Sequence, residues 1–168
     1  MASGLYHWYA IYTSPRAEKK TVALLLQRGI TAYLPLLKSL KQWSDRRKWV
    51  EEPLFKSYAF VNVSEREYLD VLQVHGVVKY ISFSGKAAII PDTQIDTIKL
   101  LLSSESELDI SDHHFGKGES VIIKAGPFIG LKGELIDTQN TKRFLVRFEQ
   151  LGKSIIINIP TVYLEPVF

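Results

Sequence analysis

The chain has 168 residues, no cysteine, and 21 Lys and Arg side chains against 18 Asp and Glu side chains, a formal net charge of +3. Apolar residues make up 46% and charged residues 23%, which is typical of folded chains and excludes a disordered one. The lack of cysteine excludes a disulfide framework, a cysteine zinc site and thiol catalysis. Apolar runs fall short of the roughly 20 residues that span a bilayer, and residues 1–5 lack a secretory signal. We therefore expect a soluble chain in the cytoplasm, with no membrane partner.

The charge is unevenly distributed along the chain. Residues 1–60 carry ten basic and four acidic side chains, a net charge of +6, whereas residues 61–110 carry four basic and eight acidic side chains. Residues 111–168 are nearly balanced, with seven basic and six acidic side chains. A basic first third on an otherwise balanced chain predicts a local contact with a polyanion such as nucleic acid.

The first hundred residues alternate between strand and helix patterns. Strands are predicted where β-branched and aromatic residues concentrate, at residues 8–12, 30–37, 54–63, 77–83 and 87–90. Helices are predicted behind N-caps and a capping box, at residues 15–28, 64–74 and 92–102. The order β-α-β-β-α-β-(β)-α is close to the split βαβ, ferredoxin-like pattern, an antiparallel sheet with helices on one face. We therefore predict a first domain over residues 1–102.

The amino-acid composition changes at residue 103 and again at residue 116. Residues 103–115 are rich in serine and acidic side chains and contain no Lys or Arg, which predicts a flexible linker. From residue 116 to residue 168, short apolar runs alternate with turn residues, one of the turns being Gln139-Asn140. About 50 residues of short strands predict a small barrel, because closure removes exposed strand edges. The fold class is therefore α+β, in two domains joined by the linker.

The sequence contains no group of residues with the spacing of a known catalytic site. His113 and His114 fall in the predicted linker, which lacks the rigidity that a metal site with three or four ligands needs. Asp92 and Asp96 are spaced as a carboxylate pair on a helix, but Asp92 is better placed as the N-cap. No phosphate-binding loop, dinucleotide fingerprint or nucleophile elbow occurs. We expect no enzymatic activity, no cofactor and no metal.

Aromatic side chains form the first candidate binding site. Four of them fall on two strands that would be neighbours in the predicted sheet: Tyr12, Phe55, Tyr58 and Phe60. Core packing is the better explanation for any single ring, whereas rings on the uncovered face would form an exposed apolar patch of the kind that marks a partner site. Residues 58 and 60 share a face because the side-chain period of a strand is two. The spacing does not decide which face that is.

Basic side chains form the second candidate site. One group is predicted on a single face of the first helix: Arg16, Lys19 and Lys20. A second group lies beside two tryptophans, Trp43 and Trp49, in the polar segment 38–52: Arg46, Arg47 and Lys48. Phosphates pair with Lys and Arg, and bases stack on exposed aromatic rings. A solvated face or a mobile hairpin would carry the same residues, so the pattern alone leaves both interpretations open.

Three stretches of the chain resemble the NusG family of transcription elongation factors. Residues 8–12 (WYAIY) and 52–61 (EPLFKSYAFV) resemble the N-terminal domain of the family, and residues 118–134 (GESVIIKAGPFIGLKGE) resemble its KOW motif. The form EPLFxxYxFV is more similar to specialised paralogues, such as RfaH and the capsule-operon antiterminators, than to the housekeeping factor. The resemblance covers nearly the whole chain and implies that residues 116–168 form an SH3-like KOW barrel.

The resemblance implies a non-enzymatic factor that promotes elongation and antitermination, at specific operons in the specialised paralogues. In the family, the N-terminal domain docks a hydrophobic pocket on the clamp helices of the largest RNA polymerase subunit, which suppresses pausing. Carried over to this sequence, Tyr12, Phe55, Tyr58 and Phe60 would line the pocket. The first helix would face non-template DNA with low sequence specificity through Arg16, Lys19 and Lys20.

The KOW domain of the family recruits a second partner, such as the termination factor Rho, a small-subunit ribosomal protein or an antitermination complex. Rho is doubtful for a specialised paralogue. The implied contact surface comprises Pro127, Phe128 and Ile129, although Phe128 would equally serve to cap the barrel core. We expect the KOW domain to remain a β-barrel. We also expect the chain to be a monomer. The alternative function is a ribosome-associated or RNA-binding KOW protein, in which the aromatic rings are core and the basic residues hold RNA.

Overall fold

The structure is a computed structural model, and it describes residues 4–138 and 140–168. The first three residues of the segment inspected for a secretory signal, and Gln139 of the predicted turn, lie outside the described residues. Within the described ranges, no helix combines the length and apolarity required to cross a membrane. The chain divides into two compact units, one ending at Ile95 and the other running from Asp96 to Phe168. That division falls inside a predicted helix and not at the predicted linker.

In its described residues, the first unit contains nine short strands and two helices that lie wholly within it. The strands are β1 (His7–Thr13), β2 (Thr31–Tyr33), β3 (Leu36–Gln42), β4 (Arg47–Pro53), β5 (Tyr58–Val63), β6 (Val77–Tyr80), β7 (Ser82–Phe83), β8 (Lys86–Ala87) and β9 (Ile89–Ile90). The helices are α1 (Glu18–Gln27) and α2 (Tyr68–Leu72), and a third helix, α3 (Asp92–Leu102), crosses the division. The main sheet has the order β2-β5-β1-β6, with β9 also paired to β1. Two hairpins, β3–β4 and β7–β8, form small sheets of their own.

One face of the main sheet carries the core of this unit. Ile11 of β1 and Val61 of β5 belong to a buried cluster with Val22 and Leu25 of α1 and Val71 of α2. Because side chains alternate along a strand, the neighbours of Ile11 and Val61 point to the opposite face. Helices α1 and α2 therefore cover the same face of an antiparallel sheet.

Helix α1 begins three residues later than predicted. Arg16 has a φ of 63°, a left-handed conformation that an α-helix cannot contain. The N–H of Ala17 donates to the carbonyl of Ser14 at 3.0 Å, and the N–H of Ser14 donates to the carbonyl of Gly76 at 2.9 Å. Ser14 is thus part of a turn and does not cap the helix, which begins at Glu18.

In the described residues, the second unit is a six-stranded antiparallel sheet. Its strands are β10 (Leu108–Ser111), β11 (Glu119–Ile123), β12 (Lys132–Thr138), β13 (Thr141–Phe148), β14 (Lys153–Ile157) and β15 (Leu164–Pro166). They pair in the order β10-β14-β13-β12-β11-β15. Over the ranges that the structure describes, this path has two ends, at β10 and β15, so the predicted closure into a barrel is not found.

Part of the segment 103–115, predicted as a flexible linker, forms the edge strand β10. Leu108 pairs with Ile157, and Ile110 pairs with Ile155. The apolar residues of β10 alternate with polar ones at the period of a strand, a pattern that the serine-rich and acidic composition of the segment obscures. Asp109 also lies 3.3 Å from the guanidinium of Arg143 on β13. Strand pairing and the Asp109–Arg143 ion pair therefore hold residues 108–111 against the sheet, although the composition of the segment predicts a linker.

Arg147 of β13 holds the chain that follows β10 against the sheet. Its Nε lies 2.9 Å from Oε2 of Glu134, and its Nη1 donates to the carbonyl of Phe115 at 2.9 Å. The other Glu134 oxygen accepts from the N–H of Gly118 at 2.9 Å. Hydrogen bonding from Arg147 holds the pKa of Glu134 below its ordinary value, against the opposing effect of burial.

The Glu134–Arg147 pair predicts acid sensitivity. Because the folded-state pKa of Glu134 is lowered, the pair stabilises the fold fully above the unfolded pKa, about 4.3, and this contribution disappears as pH falls through the folded pKa. We expect Glu134→Gln to reduce the free energy of unfolding at pH 7 by about 1.5–3 kcal/mol and to matter much less near pH 3. Urea denaturation at both values measures this, with the exposed Glu119→Gln as control. A deficit of equal size at both pH values would contradict the assignment.

Candidate functional site

The main sheet of the first unit presents aromatic rings on the face opposite α1 and α2. In the β1–β5 register, Tyr12 lies opposite Tyr58, and Ala10 lies opposite Phe60. These positions alternate with Ile11 and Ala59, which belong to the helix-covered core. The structure thus settles which face these rings occupy, a choice that the spacing left open.

The rings are more buried than an open patch would be. The exposed fraction of the residue is 0% for Phe60, 2% for Phe55 and 8% for Tyr58, while Tyr12 is half-buried. Phe60 stacks on Tyr33 of β2, its cross-strand neighbour, at a centroid distance of 6.5 Å. The expected exposed patch is therefore wrong for three of the four rings. Large apolar rings gain most by removing their area from water, and neighbouring side chains on this face achieve that.

Three side chains meet on this face of β1, β5 and β6, and we call them the tyrosine rim: the half-buried Tyr12, the buried Tyr58 and the exposed Lys79. The two tyrosine hydroxyls lie 2.9 Å apart, and the ring centroids lie 4.7 Å apart. Lys79 faces Tyr12 from β6, with its ammonium 5.3 Å from the ring centroid. A cation over an aromatic face is attracted to it electrostatically. The rim thus combines two aromatic rings, their hydroxyl groups and one positive charge on the sheet face that also carries the buried Phe60.

A tight turn brings Phe55 next to the rim. Ser57 has a φ of 66°, and the N–H of Tyr58 donates to the carbonyl of Phe55 at 3.2 Å. The carbonyl of Ser57 accepts from the N–H of Thr13 at 2.9 Å, which ties the turn to the end of β1. Phe55 therefore lies in this turn and not on strand β5, which begins at Tyr58. Sequence reasoning missed Tyr33 and Lys79, whose positions follow only from the strand register.

The three basic residues predicted on one face of the first helix have different surroundings. Arg16 lies in the turn before α1, so it is not part of a helical stripe. Lys19 donates from its ammonium to the main-chain carbonyl of Glu51 on β4 at 2.9 Å. Lys20 is exposed on α1. All three cations are exposed, but Arg16 lies outside the helix and Lys19 links α1 to the β3–β4 hairpin, so they do not form one helical stripe.

The second basic group lies at the far end of the β3–β4 hairpin. The carbonyl of Arg46 closes the turn by accepting the N–H of Trp43 at 2.7 Å, and Arg47 and Lys48 begin β4. All three basic residues are exposed. Two lysines of β3 pair with acids of β4: Lys38 with Glu51 at 3.6 Å, and Lys41, which lies opposite Lys48, with Glu52 at 2.6 Å. In the described part of the chain, no ion pair involves the three end cations.

The third predicted surface, in the second unit, is divided between core and solvent. Phe128 is buried, which corrects its assignment as a contact residue, whereas Pro127 and Ile129 are exposed. Gly126 and Gly130 both have φ near 90°, at 88° and 89°, so the turn between them directs Phe128 inward and Ile129 outward.

Tyr80 of the first unit, a tyrosine with a raised pKa, has a packing role. Burial raises the pKa of Tyr80, whose hydroxyl donates to the carbonyl of Tyr68 at 2.7 Å. The rings of Tyr80 and Tyr68 are stacked, with centroids 4.1 Å apart. Over residues 4–138 and 140–168, no group of three or more His, Asp or Glu side chains is arranged to hold a metal ion.

Comparison with known proteins identifies the family of this chain. A solved structure of Thermotoga maritima NusG, described as showing domain interaction, is similar over 97% of this chain and 98% of that chain, with 21% identity and a TM-score of 0.55. That likeness shows a shared fold. The MjSpt4:Spt5 complex matches over 95% of this chain and 96% of that chain, with 17% identity and a TM-score of 0.30. The family model for NusG, described as transcription termination factor nusG, matches residues 6–99. Since that match spans more than half of the 168 residues, the chain belongs to the NusG family of transcription factors.

Proposed function

We propose that this chain is a cytoplasmic transcription elongation and antitermination factor that binds the clamp helices of RNA polymerase through the tyrosine rim. Membership in the NusG family supports the transcription role. The observation that carries the binding site is the pairing of Tyr12 with Tyr58 on the sheet face away from α1 and α2. The EPLFxxYxFV form of residues 52–61 supports a specialised paralogue of the RfaH and capsule-operon type, acting at specific operons.

The rim suits a helical partner for physical reasons. Tyrosine buries a large apolar ring and still satisfies a hydroxyl group, which is why it is frequent at the centres of interfaces. Tyr58 is buried and its hydroxyl donates to that of Tyr12, so its ring is already ordered and binding costs little conformational freedom. A factor that binds only the closed clamp shifts the polymerase toward that state and so disfavours pausing.

Nucleic-acid contacts accompany this docking in the proposal. Arg16 and Lys20 near α1, with the three cations at the end of the β3–β4 hairpin, would meet the phosphates of non-template DNA. Such contacts carry little sequence information and weaken with salt. Lys19 acts there as a positioning residue, since its ammonium already binds the Glu51 carbonyl.

The second unit would recruit a further partner, a small-subunit ribosomal protein or an antitermination complex. We propose that it is a KOW domain of the SH3-like type, built on its open six-stranded sheet, whose exposed Pro127 and Ile129 make the contact, with Phe128 shaping the turn from inside. Because it is tethered to the first unit, the second unit would act beside the polymerase at an effective concentration of about millimolar. The chain would act as a monomer, without a cofactor or catalysis.

A second candidate function is an RNA-binding or ribosome-associated KOW protein. The burial of Phe55, Tyr58 and Phe60 favours it, because that function predicts these rings as core. Affinity purification from a native lysate distinguishes the two: polymerase subunits are expected for the first function, and ribosomal subunits or RNA for the second.

Replacing Tyr12 tests the docking surface. Because Tyr12 is half-buried and lies at the rim, we expect Tyr12→Ala to fold and to weaken polymerase binding by about 2 kcal/mol, roughly 30-fold. Binding of purified polymerase by biolayer interferometry measures this. Phe60→Ala is the contrasting variant, because removing a fully buried ring should reduce the free energy of unfolding by about 3–5 kcal/mol. A folded Tyr12→Ala chain with unchanged affinity would rule out the rim.

Salt dependence tests the cations near α1. Each cation that pairs with a phosphate adds about 1 to the slope of log affinity against log salt. We therefore expect the double variant Arg16→Ala and Lys20→Ala to lower the slope for DNA by about 2. Fluorescence anisotropy at several salt concentrations gives the slope, and Lys99→Ala serves as a control that removes a positive charge elsewhere. If the double variant and the control have equal slopes, these cations do not contact phosphate.

A further inference from the structure

The end of the β3–β4 hairpin exposes two indole rings. The exposed fraction is 52% for Trp43 and 68% for Trp49, and Leu40, directly opposite Trp49, is also exposed. Tryptophan is highly buried on average in folded chains. Among the aromatic and cation–ring contacts of the described residues, none involves Trp43 or Trp49. The two rings are therefore open to a planar ligand.

Each ring has an arginine beside it in the hairpin register. Trp49 and Arg47 point to the same face of β4, because they are two residues apart. Arg47 donates from Nε to the Gln42 side-chain oxygen at 2.8 Å, which orients its guanidinium across the hairpin. Trp43 meets Arg46 across the turn through the 2.7 Å main-chain hydrogen bond. An arginine is therefore the register or turn neighbour of each indole at the end of the hairpin.

Polar contacts near the base of the hairpin leave the positive charge at its end. Glu51 and Glu52 are each paired with a lysine of β3, and the Glu51 carbonyl is bound by Lys19 of α1. Asp45 is the one acid among residues 42–49. The end of the hairpin is consequently net positive, and a ligand that matches it must be anionic and must offer planar rings.

We propose that the end of the β3–β4 hairpin is a base-stacking site for single-stranded nucleic acid, with Trp43 and Trp49 as the stacking rings. The site deepens the proposed nucleic-acid contact of Arg46, Arg47 and Lys48 and rests on it. Phosphates would pair with those cations while successive bases stack on the indoles, a combination that is tolerant of sequence. A duplex hides its base faces within the stack, so an unpaired strand is the preferred ligand. Single-stranded DNA and RNA share this chemistry.

Fluorescence anisotropy with the full chain and labelled oligonucleotides of about 12 nucleotides tests the proposal. The probes are a single-stranded oligothymidine, the matching oligouridine and a DNA duplex. We expect wild type to bind the single strands more tightly than the duplex. Trp43→Ala and Trp49→Ala should each weaken single-strand binding by about 5-fold to 150-fold, since a stacked base contributes about 1–3 kcal/mol. The slope against salt should not change, because the phosphate contacts remain.

Matched variants separate stacking from a general reduction of apolar surface. Trp49→Phe keeps a ring and should retain most of the affinity, whereas Leu40→Ala removes an apolar neighbour and should change it less than about twofold. In a Trp8→Phe background, single strands should also quench the emission of Trp43 and Trp49. This second measurement uses intact hairpin residues, so it does not depend on how the alanine variants fold.

Each contrary outcome identifies which idea is wrong. Alanine variants that bind as wild type does, without indole quenching, would overturn stacking and leave only a charge contact. Equal affinity of wild type for duplex and single strand would also overturn it. Failure of wild type to bind any probe would remove the proposed nucleic-acid contact as well, while the Tyr12→Ala measurement would still decide polymerase docking. Tryptophan variants that no longer bind polymerase, with oligonucleotide binding intact, would make the hairpin a protein-docking element and overturn the proposal.

Discussion

The antiparallel pairing of β1 with β5 is the constraint on which the first unit depends. It places Ile11 and Ala59 under the helices, and it thereby forces Tyr12 and Tyr58 to the other face. A slip of one residue in this register would exchange the two sets, exposing the core and burying the tyrosines among aliphatic side chains. The fold and the proposed docking surface are thus two results of one set of backbone hydrogen bonds.

Burial of most of the aromatic face changes what kind of surface it is. Because Tyr58 is buried and Tyr12 is half-buried, the tyrosine rim is more rigid than a wide exposed patch would be. It also presents less apolar area to water. The β3–β4 hairpin is the opposite case, because its rings are exposed and its strands pair only with each other in the described residues. The first unit therefore combines one preorganised surface and one basic and aromatic hairpin, and these suit different ligands.

Local sequence patterns predicted much of this arrangement. Strand periodicity located β1 and β5, and the aromatic spacing brought Tyr12 and Tyr58 together. The sequence could not predict how far the aromatic rings are exposed. Tyr33 covers Phe60 because β2 lies next to β5 in the sheet, and residues adjacent in the sequence do not reveal that strand order. Composition misled in the segment 103–115, where two alternating apolar residues outweigh the acidic and serine-rich background. The left-handed turn at Arg16 likewise has no local signature, since neither glycine nor asparagine occupies the position.

Photo-crosslinking from position 12 tests most directly whether the tyrosine rim docks on the polymerase. A benzophenone amino acid placed there in the full chain should crosslink to the clamp helices of the largest polymerase subunit when the factor is bound to an elongation complex. Position 69, an exposed leucine of α2 within the helix-covered side of the unit, provides the comparison. We predict a crosslink from position 12 and none from position 69. A crosslink to the clamp helices from position 69 alone would show that the factor docks through its helical side and would contradict docking through the rim.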